Sequence, residues 1–354
     1  MEHKEIMRDK IMAMFLLGAI GDALGMPVEV LTKKEIQEPF GYIRDYLPAR
    51  PDHKWCKGFV KGQWTDDTQL TLAIARAYII EKSFTIEHVF LEHVKEMERS
   101  TAGWGGSTIE SLKRIKGVYP NCNISEMGNP TGAGNGISMK IAPVGAVFAE
   151  EIENAAKSLE YCEYKEFVSK REDIYLDCIA EIAQMTHCTR MGIASGFAQV
   201  GAVLTCFDTY LDLGSVNNYF TAMVINAAEK GEAYLINDGM IDKLSERFKN
   251  LFQDDAYMKM TVDELLSATD GATCYVYNSL PFTYAMFLRN SYSIETLFET
   301  INAGGDTDTN GAMVGSLLGA YNGTKIIPKY LLDGLWNREE VEKTASDFCD
   351  SLGL

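Results

Sequence analysis

The sequence predicts an all-α protein, and three observations lead to that prediction. Most long segments repeat apolar or small residues at helical spacing, no convincing series of alternating strands is present, and several segments are rich in glycine and alanine. In 67–80 the repeated positions fall on one helical face: Leu70, Ala73, Ile74, Ala77 and Ile80. The same pattern predicts helices over 11–24, 137–149, 172–187, 190–206, 216–230 and 311–321.

The glycines inside these segments indicate how the helices pack. Glycine costs about 1 kcal/mol relative to alanine in a helix interior, yet "LLGAIGDALG" and "GAMVGSLLGA" use it repeatedly. We therefore expect helix backbones that pack very closely, with Gly18, Gly196 and Gly315 in the core.

The chain has 354 residues, which fits one large domain or two ordinary ones. The loop-like stretches 43–64, 101–107 and 119–136 are neither long nor repetitive enough to be interdomain linkers. We therefore predict a compact single domain over 1–354.

Charge and cysteine usage narrow the class of partner. The formal net charge is −17 and no block is rich in Lys or Arg, so duplex nucleic acid and anionic membranes are poor partners. The eight cysteines have no regular spacing and the five histidines no paired spacing, which indicates reduced thiols and gives no support for zinc. The N-terminus is charged and precedes an apolar run of about ten residues, so we expect a cytoplasmic protein without a membrane span.

Two segments share a design that indicates chemistry. Residues 62–79 and 304–321 each run from glycine through a Thr/Asp cluster into an apolar helix. One such side chain could cap the helix. Two carboxylates in each cluster exceed that need, and four brought together would repel unless a hard cation neutralised them. The clusters therefore predict a metal site, with Thr65, Asp66 and Asp67 from one and Asp306, Asp308 and Thr309 from the other.

The second cluster also offers a local alternative, an EF-hand calcium loop, which the sequence does not support. Asp306 does not fit an EF-hand loop, because position 12 of that loop would be Leu317 rather than glutamate.

The stretch "GDALGMPVE" contributes two further acidic residues, Asp22 and Glu29. Taken alone, Asp22 could bond a neighbouring helix end, and Glu29 belongs to a loop after Pro27.

Five motifs in this order resemble the ADP-ribosylglycohydrolase family. They are "GDALGMPVE", "GQWTDDTQ", "GNGISMKIAPVG", Thr186–His187 and "NAGGDTDTNGAMVGSLLGA", and the resemblance runs from about residue 10 to residue 325. It implies an orthogonal helical bundle with two Mg²⁺ or Mn²⁺ ions at the base of a cleft. The carried-over ligands are Thr65, Asp66, Asp67, Asp306, Asp308 and Thr309.

The resemblance also implies an activity. The substrate would be ADP-ribose joined through C1 of its distal ribose to an acceptor, such as a side chain of an ADP-ribosylated protein. Asp66 and Asp306 would serve catalysis, together with Glu29 on a mobile loop over the metals. The acceptor itself is not readable. A second hypothesis is a non-catalytic ADP-ribose-binding or crystallin-like structural protein, which loss of a cluster carboxylate would indicate; all four are present.

Each residue that the resemblance places in contact with the substrate could instead have a purely structural role. The loop "TGAGNG" would approach the phosphates through Gly132, Gly134, Asn135 and Gly136, or form a plain helix-entry turn. His187 would contact ribose or phosphate, or be a core histidine, since "THCTRMG" lacks the proline-containing stretch usual in the family. Trp104 in "GWGG" would border the leaving group, or be a hydrophobic plug.

Overall fold

The chain folds into sixteen α-helices in the computed structural model, which describes residues 2–208, 216–235, 239 and 241–354. Over those residues no β-strand forms, and extended segments meet only in isolated bridges. The all-α prediction is confirmed. The helices are α1 Glu2–Gly25, α2 Lys33–Phe40, α3 Asp66–Glu81, α4 Ile86–Arg99, α5 Gly106–Val118, α6 Ala142–Ser158, α7 Tyr161–Gln184, α8 Arg190–Phe207, α9 Val216–Tyr234, α10 Leu244–Phe252, α11 Val262–Ala268, α12 Val276–Arg289, α13 Glu295–Asn302, α14 Thr307–Asn322, α15 Lys329–Gly334 and α16 Arg338–Ser351.

Several helix boundaries differ from the prediction. Helix α1 starts at Glu2 rather than 11, α6 ends at Ser158 rather than 149, and α9 ends at Tyr234 rather than 230. Helix α6 starts at Ala142 rather than 137, because 136–140 form turns and Pro143 suits a first helical turn. Helix α7 starts at Tyr161, eleven residues before the predicted 172. Helix α14 starts at Thr307 rather than 311, so part of the second acidic cluster lies inside the helix.

Helices α1 and α14 form the central pair, and glycine allows their backbones to touch. A Cβ added at Gly21 would lie 2.0 Å from the carbonyl oxygen of Gly311, and one at Gly25 would lie 2.2 Å from that of Thr307. The Thr307 hydroxyl donates a hydrogen bond to the Gly25 carbonyl at 2.8 Å. The C-terminal end of α1 is thereby held against the N-terminal end of α14.

The three glycines expected in the core do pack tightly. A Cβ at Gly315 would lie 2.1 Å from the carbonyl oxygen of Leu17, and one at Gly18 would lie 2.7 Å from the Ser316 hydroxyl. At Gly196 the nearest atoms would be side-chain carbons at 3.0 Å. These glycines serve helix packing.

The N-terminal helix is longer and more apolar than the sequence reading suggested. The stretch His3–Val28 contains an 18-residue window with mean hydropathy of 1.8, long and apolar enough to cross a membrane, but 94% of that window is buried inside the protein. It is thus packed as a core helix. Buried apolar side chains from Met7 to Cys349 join in one continuous cluster, and the eight cysteines, which lie in the described part of the chain, form no disulfide bond there. The single domain over 1–354 stays a prediction.

Candidate active site and metal centre

Asp22 of α1 caps helix α3 from outside. Its carboxylate accepts hydrogen bonds from the backbone N–H of Thr65 at 2.9 Å and of Thr68 at 3.0 Å. It also accepts bonds from the hydroxyls of the same two residues, at 2.8 Å and 2.6 Å. Because one buried carboxylate accepts the hydrogen bonds of N–H groups at the start of this helix, the helix's own acidic side chains are not required as caps and can bind a ligand instead.

The first acidic cluster, Thr65 to Asp67, makes few hydrogen bonds to its own helix. Thr65 is the N-cap residue, but its side chain makes no cap bond, and its hydroxyl lies 3.4 Å from Asp67 Oδ2. The other oxygen of Asp67 is buried without a hydrogen-bond partner. Asp66 lies against Gly103, where an added Cβ would be 2.8 Å from Asp66 Oδ1 and where φ is +87°, so this close approach requires glycine.

The second cluster begins helix α14 and does not cap it either. Asp306 occupies the N-cap position without a side-chain cap bond. Its Oδ2 accepts a hydrogen bond from the Asn135 amide at 2.7 Å. Asp308 accepts one bond from the backbone N–H of Thr309 at 3.0 Å. The Thr309 hydroxyl reaches Asp67 Oδ2 at 3.4 Å, which joins the two clusters.

Glu29 reaches the second cluster from a short segment after α1. A 3₁₀ turn covers Met26–Val28, and the backbone N–H of Val30 then donates to the Gly305 carbonyl at 2.8 Å. One carboxylate oxygen from each of Glu29, Asp306 and Asp308 lies within 4.8 Å of the other two. Three carboxylates from two distant parts of the chain thus converge.

Burial and mutual repulsion shift the whole cluster towards the protonated form. Burial, with repulsion from Asp306, raises the pKa of Glu29 to about 8. Burial, with repulsion from Asp22, raises the pKa of Asp66 to about 7 and that of Asp67 well above its usual range. Burial also raises the pKa of Asp308 well above its usual range, and repulsion from Glu29 raises it further. Uncompensated negative charge is costly here.

The residues present fit a hard divalent cation. The converging groups are all carboxylate or hydroxyl oxygens, the donors that Mg²⁺, Mn²⁺ and Ca²⁺ prefer. The orphaned oxygen of Asp67 and the equally orphaned Oε2 of Glu29 are buried acceptors that a cation would satisfy. Of the described residues that line the surrounding cleft, none is lysine or arginine.

One lysine lies behind the site without lining it. Lys140 is fully buried and its Nζ has no hydrogen-bond partner. Burial lowers its pKa to about 7, opposed by the charge of Asp66. Burial, reinforced by the charge of Lys140, lowers the pKa of His187 to about 3, so this imidazole is neutral over the physiological range. The sequence pattern offered no signal that singled out Lys140.

The acidic residues lie along a cleft with a cavity volume of about 580 Å³. It is large enough for a small-molecule ligand. The predicted site residues that line it are Glu29, Asp66, Asp67, Trp104, Gly134, Asn135, Gly136, His187, Asp306, Asp308 and Thr309.

Two predicted residues do not line the cleft. Thr65 is buried and its hydroxyl is bonded to Asp22. Gly132 packs behind His187, where an added Cβ would lie 3.0 Å from His187 Cδ2. The loop 131–136 is also not the helix start that was expected, since turns separate it from Ala142, where α6 begins.

His187 and Trp104 are each packed in the core and also line the cleft, so neither of the two roles expected for each of them is excluded. His187 is buried, with Nδ1 2.9 Å from the Thr186 hydroxyl, yet it lines the cleft. Trp104 is 4% exposed, and its indole N–H donates to Gln69 Oε1 at 2.8 Å. It also lines the cleft, so its position is fixed from behind.

The cleft includes residues that the sequence did not reveal. Trp55, Thr273 and Cys274 line it alongside the acidic clusters. Asn135 donates its backbone N–H to the carbonyl oxygen of Cys274 at 3.0 Å, which fixes the two loops together. Each of the three belongs to a loop without helical periodicity, so no pattern in the sequence could have marked it.

These observations define an all-α protein with a buried site of carboxylate and hydroxyl oxygens. The family model for ADP-ribosylglycohydrolase matches residues 3–353, and the chain belongs to that family. A solved structure described as "ADP-ribosylglycohydrolase-related protein complex" shares the fold, with a TM-score of 0.64, 22% identity, and coverage of 98% of this chain and 99% of that one.

Several curated relatives carry names of activities, including two that cover most of this chain. The ADP-ribosyl-[dinitrogen reductase] glycohydrolase of Rhodospirillum rubrum is 25% identical over 334 residues, or 94% of this chain and 92% of that protein. The ADP-ribosylhydrolase ARH3 of Mus musculus is 25% identical over 301 residues, or 75% of this chain and 71% of that protein. Family membership and these names support a hydrolase with ADP-ribosylglycohydrolase activity.

Proposed function

We propose that this protein is a dinuclear-metal-dependent hydrolase that cleaves the glycosidic bond between ADP-ribose and an acceptor, which is a side chain of an ADP-ribosylated protein or a related conjugate. The observation that carries the proposal is the convergence of Glu29, Asp306 and Asp308 within 4.8 Å. Asp67 adjoins them through Thr309. The eight described cysteines form no disulfide bond with one another, which suits the cytoplasm that we propose as its location.

The two clusters would hold the metal ions. Asp66 and Asp67 would contribute from the start of α3, and Asp306, Asp308 and Thr309 from the start of α14. Thr65 would contribute its hydroxyl oxygen while its hydroxyl proton stays hydrogen-bonded to Asp22. Two Mg²⁺ or Mn²⁺ ions bound there would orient the ribose hydroxyls, activate water and stabilise negative charge.

The protein's own groups supply positioning and proton transfer. Glu29 Oε2 has no hydrogen-bond partner, so it is free to hold a proton beside the reacting groups. Asn135 fixes the orientation of Asp306 through its amide. Neutral His187 offers Nε2 to the substrate without adding charge. Trp104 walls the cleft on the side where we place the leaving group.

The activity is tested by release of ADP-ribose from a panel of proteins modified on arginine or on serine. We expect release from at least one acceptor in Mg²⁺ or Mn²⁺, and its loss in EDTA. The Asp308→Asn variant serves as the matched control and should be inactive with the same acceptor. Release that persists in EDTA, or none from any acceptor, contradicts the proposal.

The non-catalytic alternative lacks a supporting observation. Loss of a cluster carboxylate would favour it, but Asp66, Asp67, Asp306 and Asp308 are all present and buried around one site. A binding protein would need only the cleft. It would not need a group of carboxylates whose burial is costly without a cation.

A further inference from the structure

His53 has a tautomer that its neighbours fix. The imidazole side chain is fully buried. Its Nδ1 lies 3.3 Å from the backbone N–H of Trp55 and 3.1 Å from that of Cys56, and it must accept from these donors. Nε2 therefore carries the proton and donates to the Met26 carbonyl at 2.8 Å. Burial lowers the pKa of His53, which keeps this arrangement neutral.

The bond from His53 holds the segment that carries Glu29. Met26 begins the 3₁₀ turn that leads to Glu29. Glu29 Oε2 lies 3.6 Å from the same Nε2 and has no hydrogen-bond partner of its own. Arg50, from the same loop as His53, donates to the Glu29 carbonyl at 3.4 Å. The loop over 50–56 thus holds one side of the segment through hydrogen bonds to its backbone carbonyls.

The other side of the segment is held under strain. Val30 has φ of +63°, a left-handed conformation that is a genuine outlier for a β-branched residue and is therefore strained. Two backbone hydrogen bonds of 2.8 Å maintain it, from Val30 N–H to the Gly305 carbonyl and from Gly305 N–H to the Leu31 carbonyl. The segment keeps this shape only because contacts outside it compensate for the strain.

We infer that His53 is a positioning residue, which holds the Glu29 carboxylate beside Asp306 and Asp308 and so preorganises the metal site. The inference rests on the proposed function. Without the Nε2 bond, the strained turn has one restraint fewer and Glu29 leaves the other two carboxylates for part of the time. A lost hydrogen bond of ordinary strength corresponds to about a fivefold to tenfold weaker affinity for a divalent cation.

Calorimetric titration of Mn²⁺ into four proteins tests this inference: the wild type, His53→Leu, Glu29→Gln and the double variant. We expect His53→Leu to bind about fivefold to tenfold more weakly than the wild type. If His53 acts through Glu29, the double variant binds no more weakly than Glu29→Gln alone. Equal affinities of the wild type and His53→Leu, or fully additive losses, overturn the inference.

Conservative variants separate positioning from general stability. His53→Gln retains an N–H donor that can reach the Met26 carbonyl, and we expect it to restore most of the affinity. His53→Asn is too short to reach that carbonyl, and it replaces His53→Leu in the cycle if the leucine variant does not fold. Equal binding by the Gln and Asn variants overturns the inference. A wild type that binds no Mn²⁺ overturns the proposed function as well, whereas binding that ignores His53 overturns the inference alone.

Discussion

The Thr309 hydroxyl lies 3.4 Å from Asp67 Oδ2, although 242 residues separate the two along the chain. Each residue lies in the first turn of its own helix, α3 or α14, and the two helices begin side by side. Neither helix uses these side chains as caps: Asp22 caps α3 from α1, and the N-cap residue of α14, Asp306, makes no side-chain cap bond. The acidic side chains of the two clusters, which neither helix uses as caps, therefore converge at one buried site.

We assign Asp22 a role in the fold rather than in metal binding. Asp22→Ala leaves four buried donors on Thr65 and Thr68 without their acceptor. We expect the free energy of unfolding in EDTA to fall by at least about 2 to 3 kcal/mol, measured by urea denaturation. Thr68→Val, which removes one of these donors, should cost less. Unchanged stability in EDTA combined with lost Mn²⁺ affinity would make Asp22 a ligand instead.

Lys140 should oppose both folding and metal binding. Its Nζ is buried without a partner, so Lys140→Met removes an uncompensated charge from the interior. We expect a higher free energy of unfolding at pH 6, where the lysine, with a pKa of about 7, is charged in the folded state. We also expect severalfold tighter Mn²⁺ binding, because a positive charge near Asp66 is gone. Lys34→Met, at a largely exposed side chain, is the control and should change neither quantity.

The pH dependence of the metal-free protein should reveal Glu29. Its folded pKa of about 8 exceeds the usual value near 4.5 of the unfolded chain, so the folded state binds the extra proton between these values. Stability from Glu29 is therefore lost as the pH rises through that window. Between pH 5 and 8, Glu29→Gln should gain about 2 to 4 kcal/mol in free energy of unfolding relative to the wild type. Parallel stability profiles in EDTA would refute the raised pKa.

The sequence predicted the fold class and both acidic clusters, because helical periodicity and paired Thr/Asp motifs are local signals. It misplaced the start of α14 by four residues for a physical reason. Thr307, Asp308 and Asn310 have low helix propensity, but contact with α1 overrides it, as in the bond from Thr307 to the Gly25 carbonyl. The early start of α7 was missed because its first turns are largely exposed and lack a regular apolar face.

The rest of the site depends on contacts that no local pattern encodes. His53 lies in a loop without periodicity, and its role depends on Met26, which is 27 residues away. The capping role of Asp22 was one of the alternatives that the sequence allowed. Choosing that alternative required the distance to Thr68 on another helix.

The central claim is that the carboxylates of α3 and α14 balance bound cations. Asp308→Asn tests it most directly, because an asparagine Oδ1 can still accept the bond from Thr309 N–H that Asp308 accepts now. Calorimetric titration of Mn²⁺ should give wild-type binding and at least about a hundredfold weaker binding by Asp308→Asn, while the metal-free variant unfolds no more easily than the wild type. Equal Mn²⁺ affinities for the two proteins would contradict the account.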